Sequence, residues 1–192
     1  MSDWKDRLTK GLEPILASKD PRPEISAYHN MPYAIFRYPP EAEFAVRGEC
    51  SMLRTRLEAA GKRVTTISLA ECLRTALSRG NLTTERIAKA EKQTGTHKMI
   101  DTFHKVLSYR HPLDELVTEG IPPDADPLRD VVFLTRAGAL FPFYRTSSLL
   151  EQMKGKVNVP AVLFYPGDLD GAAGLRFMGV LDAEHNYRPK IF

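Results

Sequence analysis

Four stretches of this 192-residue chain hold the residue types that chemistry needs. His97, Asp101 and His104 stand at i, i+4 and i+7, with His111 one heptad on. Such a set suits zinc or another transition metal. The stripe borders the apolar Ile100, Phe103 and Leu107, and no second ligand cluster accompanies it. Histidines at the wet edge of a helix are therefore the expectation. Residues 135–142 (TRAGALFP) join a strand to a helix, where backbone amides could cradle a phosphate. The turn holds one glycine, Gly138, and neither GxGxxG nor GK[ST]. Pro142 also removes a donor, so a plain connection is expected. Asp168-Leu-Asp170-Gly171 begins like a calcium loop, but position 172 is Ala where a ligand is required. Two turns, at Pro166-Gly167 and Asp170-Gly171, are expected instead. For nucleophilic chemistry there is no GxSxG. Cys50 and Cys72 fall on apolar helical stripes and should be buried and reduced. Ser147-Ser148 has no histidine near it in sequence. No catalytic residue, metal or cofactor is expected.

Two features are left over. Arg145 lies near the start of a helix, where the dipole disfavours a cation. It calls for an anionic partner, either a carboxylate of the fold such as Asp168 or a group on another molecule. Leu140-Phe-Pro-Phe-Tyr144 packs three aromatics into a turn. They either plug the core or form a docking patch, since aromatics beside arginine are the types enriched at interface hot spots. The candidate partner-binding set is Phe141, Phe143, Tyr144, Arg145, Tyr165 and Asp168. If it is a surface, Tyr144 and Arg145 can be truncated with little loss of stability.

Positioning these residues requires an alternation of strands and helices. Residues 4–17 suggest an amphipathic helix broken or kinked at Pro14, and 20–23 an extended linker. A buried strand at 33–38 ends at Pro39-Pro40. Val46, Cys50, Leu53, Leu57 and Ala60 then form one helical stripe, closed by Gly61 as a left-handed C-cap. After a strand at 62–67, Ser68 and Glu71 read as a capping box. That helix stops at Gly80. Two further helices, 84–93 and 97–109, are separated by Gly95. The run 131–135 is the strongest strand, of the kind buried on both faces. A helix with Leu149, Leu150 and Met153 follows, then a strand at 161–165. Segments 175–181 and 187–192 suggest a terminal hairpin around 182–186. The order implies a single α/β domain with a mostly parallel sheet and flanking helices. A helical insert (81–112) and a short C-terminal β hairpin complete it.

Hydrophobic residues make up 43% and charged ones 27%, which argues against wholesale disorder. No apolar run nears the ~20 residues that span a bilayer, and no N-terminal signal pattern is present, so a cytoplasmic protein without membrane contact is expected. Net charge is +3. Residues 43–92 are basic and 113–130 acidic, a contrast able to steer a protein partner. The basic stretch 47–86 lacks interleaved aromatics, so a solvated surface with weak or absent DNA binding is expected.

The C-terminal third is distinctive as a string: VVFLTRAGALFPFYRTSSLLEQM, then VPAVLFYPG, then NYRPKIF. It resembles the BrxB family of bacteriophage exclusion (BREX) defence systems. That pattern is a hydrophobic strand, a Gly, a Pro and an Arg before a double-Leu helix, a strand ending Phe-Tyr-Pro-Gly and a terminal Tyr-Arg. Here these fall on 131–134, Gly138, Pro142, Arg145, Leu149-Leu150, Phe164-Tyr165-Pro166-Gly167 and Tyr187-Arg188. The front half matches more loosely. The resemblance implies a cytoplasmic bacterial protein without assigned catalytic residues. It would act as an adaptor beside a phosphatase-like protein (PglZ), a DNA methyltransferase (PglX) and a large ATPase. A degenerate nucleotide-binding domain using the Gly138 turn, or a DNA-binding subunit of the same system, are the alternatives.

Overall fold

The computed structural model describes residues 3–26, 31–171, 174–185 and 187–192. Ala172, Ala173 and Asn186, which belong to expected turns, lie outside them. Strands β1 (Tyr33–Tyr38), β2 (Arg63–Ser68), β3 (Asp130–Thr135), β4 (Ala161–Asp170) and β6 (Lys190–Ile191) lie in the order β2-β3-β4-β1-β6. Every pairing along that path is parallel. Strand β5 (Gly174–Phe177) pairs antiparallel with β4.

Successive strand side chains point to opposite faces, and the two-residue period sorts the core into two layers. Tyr33, Ile35, Val132, Leu134, Leu163 and Tyr165 face one cluster, completed by α5 (Leu69–Arg79), α8 (Leu113–Glu119) and α9 (Thr146–Gln152). Phe36, Val131, Phe133, Val162 and Phe164 face the other, under α4 (Glu43–Ala59) and the N-terminal helices. Helices on both faces explain why these strands are near-continuous apolar runs. Gly61 closes α4 at φ +89, as a left-handed cap requires. Ser68 caps α5 by accepting from the Glu71 amide at 3.3 Å. The Glu71 side chain turns instead to Arg74 and Arg136.

Four local expectations are corrected. Pro14 does not break the first helix. A π segment, Arg7–Leu12, separates α1 (Asp3–Asp6) from α2 (Glu13–Ala17), and the Glu13 amide bonds back five residues to Leu8. Widened turns of this kind lie next to Pro14, which has no amide to offer a tighter one. The supposed linker turns at Asp20, which accepts from the Arg22 backbone and side chain, and α3 (Arg22–Ile25) follows.

Pro166-Gly167 is not a turn either, because β4 runs through it for ten residues. A residue's N–H and C=O point to the same side of a strand. The Pro166 carbonyl accepts from Met178, so its missing donor faces the side where pairing with β3 has already ended at Leu163. Asp170-Gly171 does turn, with Gly171 at φ +66. Among the described residues the expected terminal hairpin does not form. Strand β5 joins β4, while β6 crosses to the far edge and pairs with β1. One antiparallel bridge, Leu175 to Glu184, is what remains of the expected pairing. The tail covers amides and carbonyls of β1 that would otherwise form an open edge: Arg37 donates to Phe192 and Phe192 to Ile35.

The insert comprises α6 (Thr84–Thr94), α7 (Thr96–Lys105) and a π segment, Val106–Arg110. No residue of α6 is buried, so that helix projects, whereas Val106 and Leu107 anchor the end of the insert in the core. The charge contrast is spent internally. Arg63 from the basic stretch pairs with Asp124 and Asp130, and Arg79 with Glu119.

The bend from sheet to ribbon rests on Gly167. A Cβ there would lie 2.6 Å from the Tyr165 ring and closer still to the Arg176 carbonyl. Both neighbours are held, one by the core and one by the ladder, so Gly167→Ala should cost roughly 1–3 kcal/mol through forced backbone shifts. Chemical denaturation of parent and variant measures it. A variant as stable as the parent contradicts this account of the bend.

Candidate functional site

The site is assembled at the carboxyl ends of β3 and β4. After β3 the chain enters a 3-10 turn, Ala137–Leu140, through Arg136 in the left-handed conformation at φ 59 and ψ 38. Ala137 and Leu140 plug the core from the turn. Phe141 packs on Phe177 with ring centroids 6.1 Å apart, and Phe143 on Phe103 of α7 at 5.0 Å, edge to face. His104 offers its Nδ1 to the Phe143 carbonyl at 3.1 Å. The second helix of the insert thus clamps the aromatic turn through Phe103 and His104. No group of three His, Cys, Asp or Glu side chains suited to a metal forms among the described residues.

The six candidate residues do not form one surface. Phe141 and Phe143 are half-buried, and Arg145 and Asp168 are exposed. Tyr144 is 2% exposed and Tyr165 fully buried. The Tyr144 hydroxyl donates to Gln152 at 2.7 Å. Tyr165 stacks beside Phe177 at 5.3 Å and Tyr187 at 6.0 Å. These two tyrosines are supports beneath the surface, so Tyr144 cannot be truncated without harm. Within this short aromatic turn, sequence alone does not reveal which rings point in.

Arg145 finds its anion within the fold, but the partner is Glu184 and not Asp168. Glu184 also accepts from the Tyr187 hydroxyl at 2.9 Å, and that hydroxyl meets Thr146 Oγ1 at 3.1 Å. The network ties the start of α9 to the C-terminal segment. No local spacing could have paired residues 39 apart. Burial works to raise the Glu184 carboxyl, but bonds from Arg145, Ser147 and Tyr187 outweigh it and hold the group below its ordinary value.

Beyond this network the ribbon β4–β5 carries exposed apolar side chains that sequence reading missed. Leu169 is 41% exposed and Val180, just past β5, 71%. An apolar residue between two aspartates in a period-two run was the available signal for Leu169. The cysteines sit where expected. Both are free and buried, and burial pushes the Cys50 thiol up to about 12 and Cys72 to about 11, far from a reactive thiolate. No helix among the described residues is long and apolar enough to cross a membrane.

Two outcomes follow. Tyr144→Ala removes a buried ring and should destabilise the fold by about 3–5 kcal/mol, as large-to-small aromatic changes do, measurable by urea unfolding. Glu184 gives stability that is fully present above its ordinary carboxylate value and fades as pH falls through that value toward the lower folded one. Glu184→Gln should therefore flatten the acid limb of a stability–pH curve. An unchanged acid limb would place that pH dependence elsewhere.

A relative from Bacillus cereus (strain H3081.97), described as BREX protein BrxB, is 29% identical over 158 residues, covering 81% of this chain and 80% of its own. No solved structure matches the chain. The family described as BREX protein BrxB matches residues 65–191, from the second strand through the C-terminal segment that holds Arg145 in place, and the chain belongs to that family.

Proposed function

We propose that this protein is a non-catalytic adaptor of a BREX anti-phage system, working in the cytoplasm and binding the phosphatase-like PglZ protein. The methyltransferase and the ATPase of the same system are further partners within one assembly. The observation that carries the reading is the ribbon surface. Leu169 and Val180 stand in water on a scaffold held from below by Tyr165 and Phe177. Asp168 stands opposite Arg176 on the next rung of the ladder, and Arg145 is joined through Glu184 to Leu175, the residue paired with Leu169. Apolar residues rimmed by charge on a rigid support are what a protein partner can desolvate at small entropic cost. Phe141 and Phe143 border the same region from the turn. Direct duplex binding stays weak in this role, because Arg56, Arg63 and Arg79 are already neutralised by carboxylates of the fold.

The test is co-purification of tagged PglZ with Leu169→Ser/Val180→Ser. Both positions are exposed, so the thermal midpoint should stay close to that of the parent. Recovery of the partner should fall at least tenfold, which corresponds to about 1.4 kcal/mol. Full recovery with a folded double variant would reject the ribbon as the docking surface.

A further inference from the structure

We propose that the carboxyl edge of the sheet carries a binding site for one oxyanion group of a small organic ligand, a phosphate or a carboxylate, held by Arg136 and Arg47. A cavity of about 320 Å³ opens there between the ends of β3 and β4 and the start of α4. Pro40, Ala139, Pro166 and Met178 give it apolar walls, and Arg47 and Arg136 supply positive charge. In open α/β sheets ligands bind outside the carboxyl ends of the strands, and this volume sits at the small end of ligand sites.

Arg136 carries the inference. It is a non-glycine residue in the left-handed region, a conformation that L side chains adopt at a cost and that clusters at functional sites. Its Nε is buried without a hydrogen-bond acceptor. A buried guanidinium N–H left unmatched is costly, so the side chain is held here against a penalty, while the accessible part of the guanidinium, on a side chain 39% exposed, is what an anion in the cavity can meet. Among the described residues its ion pair is a loose 3.5 Å contact with Glu71, which Arg74 also engages. Glu43, the carboxylate that lines the cavity, is already committed to Arg47 at 2.8 Å and to the Tyr38 hydroxyl. At Gly138 an added Cβ would meet the Met178 sulfur at 3.3 Å, so a bare backbone leaves that wall as it stands.

The site is independent of the adaptor reading, since neither Leu169 nor Val180 lines it and its test uses the purified chain alone. Thermal unfolding is followed with rising inorganic phosphate, and separately with acetate, at constant ionic strength set by chloride. The midpoint should climb with the logarithm of concentration for at least one of the two. A response to phosphate alone assigns a phosphoryl ligand, and a response to acetate alone a carboxylate. Arg136→Gly accepts the left-handed backbone without strain. It should match or exceed the parent's ligand-free midpoint while losing the response. Arg47→Gln should weaken the response, and Glu71→Gln, which removes the competing carboxylate, should strengthen it. Equal rises in the parent and Arg136→Gly mean general exclusion of the salt from the surface and overturn the site. So does a flat parent, or a ligand-free midpoint in Arg136→Gly well below that of the parent, which would make the arginine structural.

Discussion

Strand β4 belongs to two pairings at once, and Gly167 makes that possible. Up to Leu163 the strand lies at the centre of a parallel sheet, flanked by β1 and β3, and pairing with β1 continues to Pro166. From Gly167 it forms an antiparallel ladder with β5. The change of partner brings the Arg176 carbonyl and the Tyr165 ring against the Gly167 Cα, where no side chain could fit. Everything on the carboxyl side depends on this close approach. The ribbon lies over Phe177 and Tyr165, Phe141 closes against Phe177, and Leu175 bridges to Glu184, which in turn holds Arg145.

Electrostatics play a holding role in this molecule more than a projecting one. Arg56 joins α4 to α2 through Glu13, Arg63 joins β2 to Asp124 and the buried Asp130, and Lys156 meets the buried Asp114. Each pair links segments distant in sequence, and the two charge blocks meet in space at Arg63 and Arg79. Exposed pairs add little to stability individually. Asp114 and Asp130 differ, because a buried carboxylate stripped of its cation would be left uncompensated.

The period-two and 3.6-residue signals made the sheet, its burial on both faces and most helices legible in the sequence. Those signals depend on neighbours in the chain: Val46, Cys50, Leu53 and Leu57 define one face of α4 whatever the rest of the fold does. What escaped was decided by partners far away. Pro166-Gly167 has the composition of a turn, and only the end of pairing with β3 at Leu163 and the arrival of the β5 arm on that same side make it strand. The tail looked like half of a hairpin until β1 took it as an edge strand. Arg145 announced its need for an anion through its place near a helix start, but the identity of that anion lay 39 residues downstream. The site was legible as a region and not as a list. Phe141, Phe143, Arg145 and Asp168 reach the surface, while Tyr144 and Tyr165 hold it up.

This division of labour bears on the proposed adaptor role. A docking surface made of loops would lose conformational freedom on binding, and that loss would subtract from affinity. Here the exposed Leu169 sits on a two-stranded ladder, and the aromatic turn beside it is clamped by Phe103 and His104 of the insert. The projecting helix α6 contrasts with it: none of its residues is buried, so little packing holds it against the body. Rigid presentation at the carboxyl edge and a loosely held arm on the insert are different physical tools. The family's matched region, 65–191, contains both. The rigid edge is the one suited to setting a partner's orientation, because a surface fixes geometry only where its own geometry is already fixed.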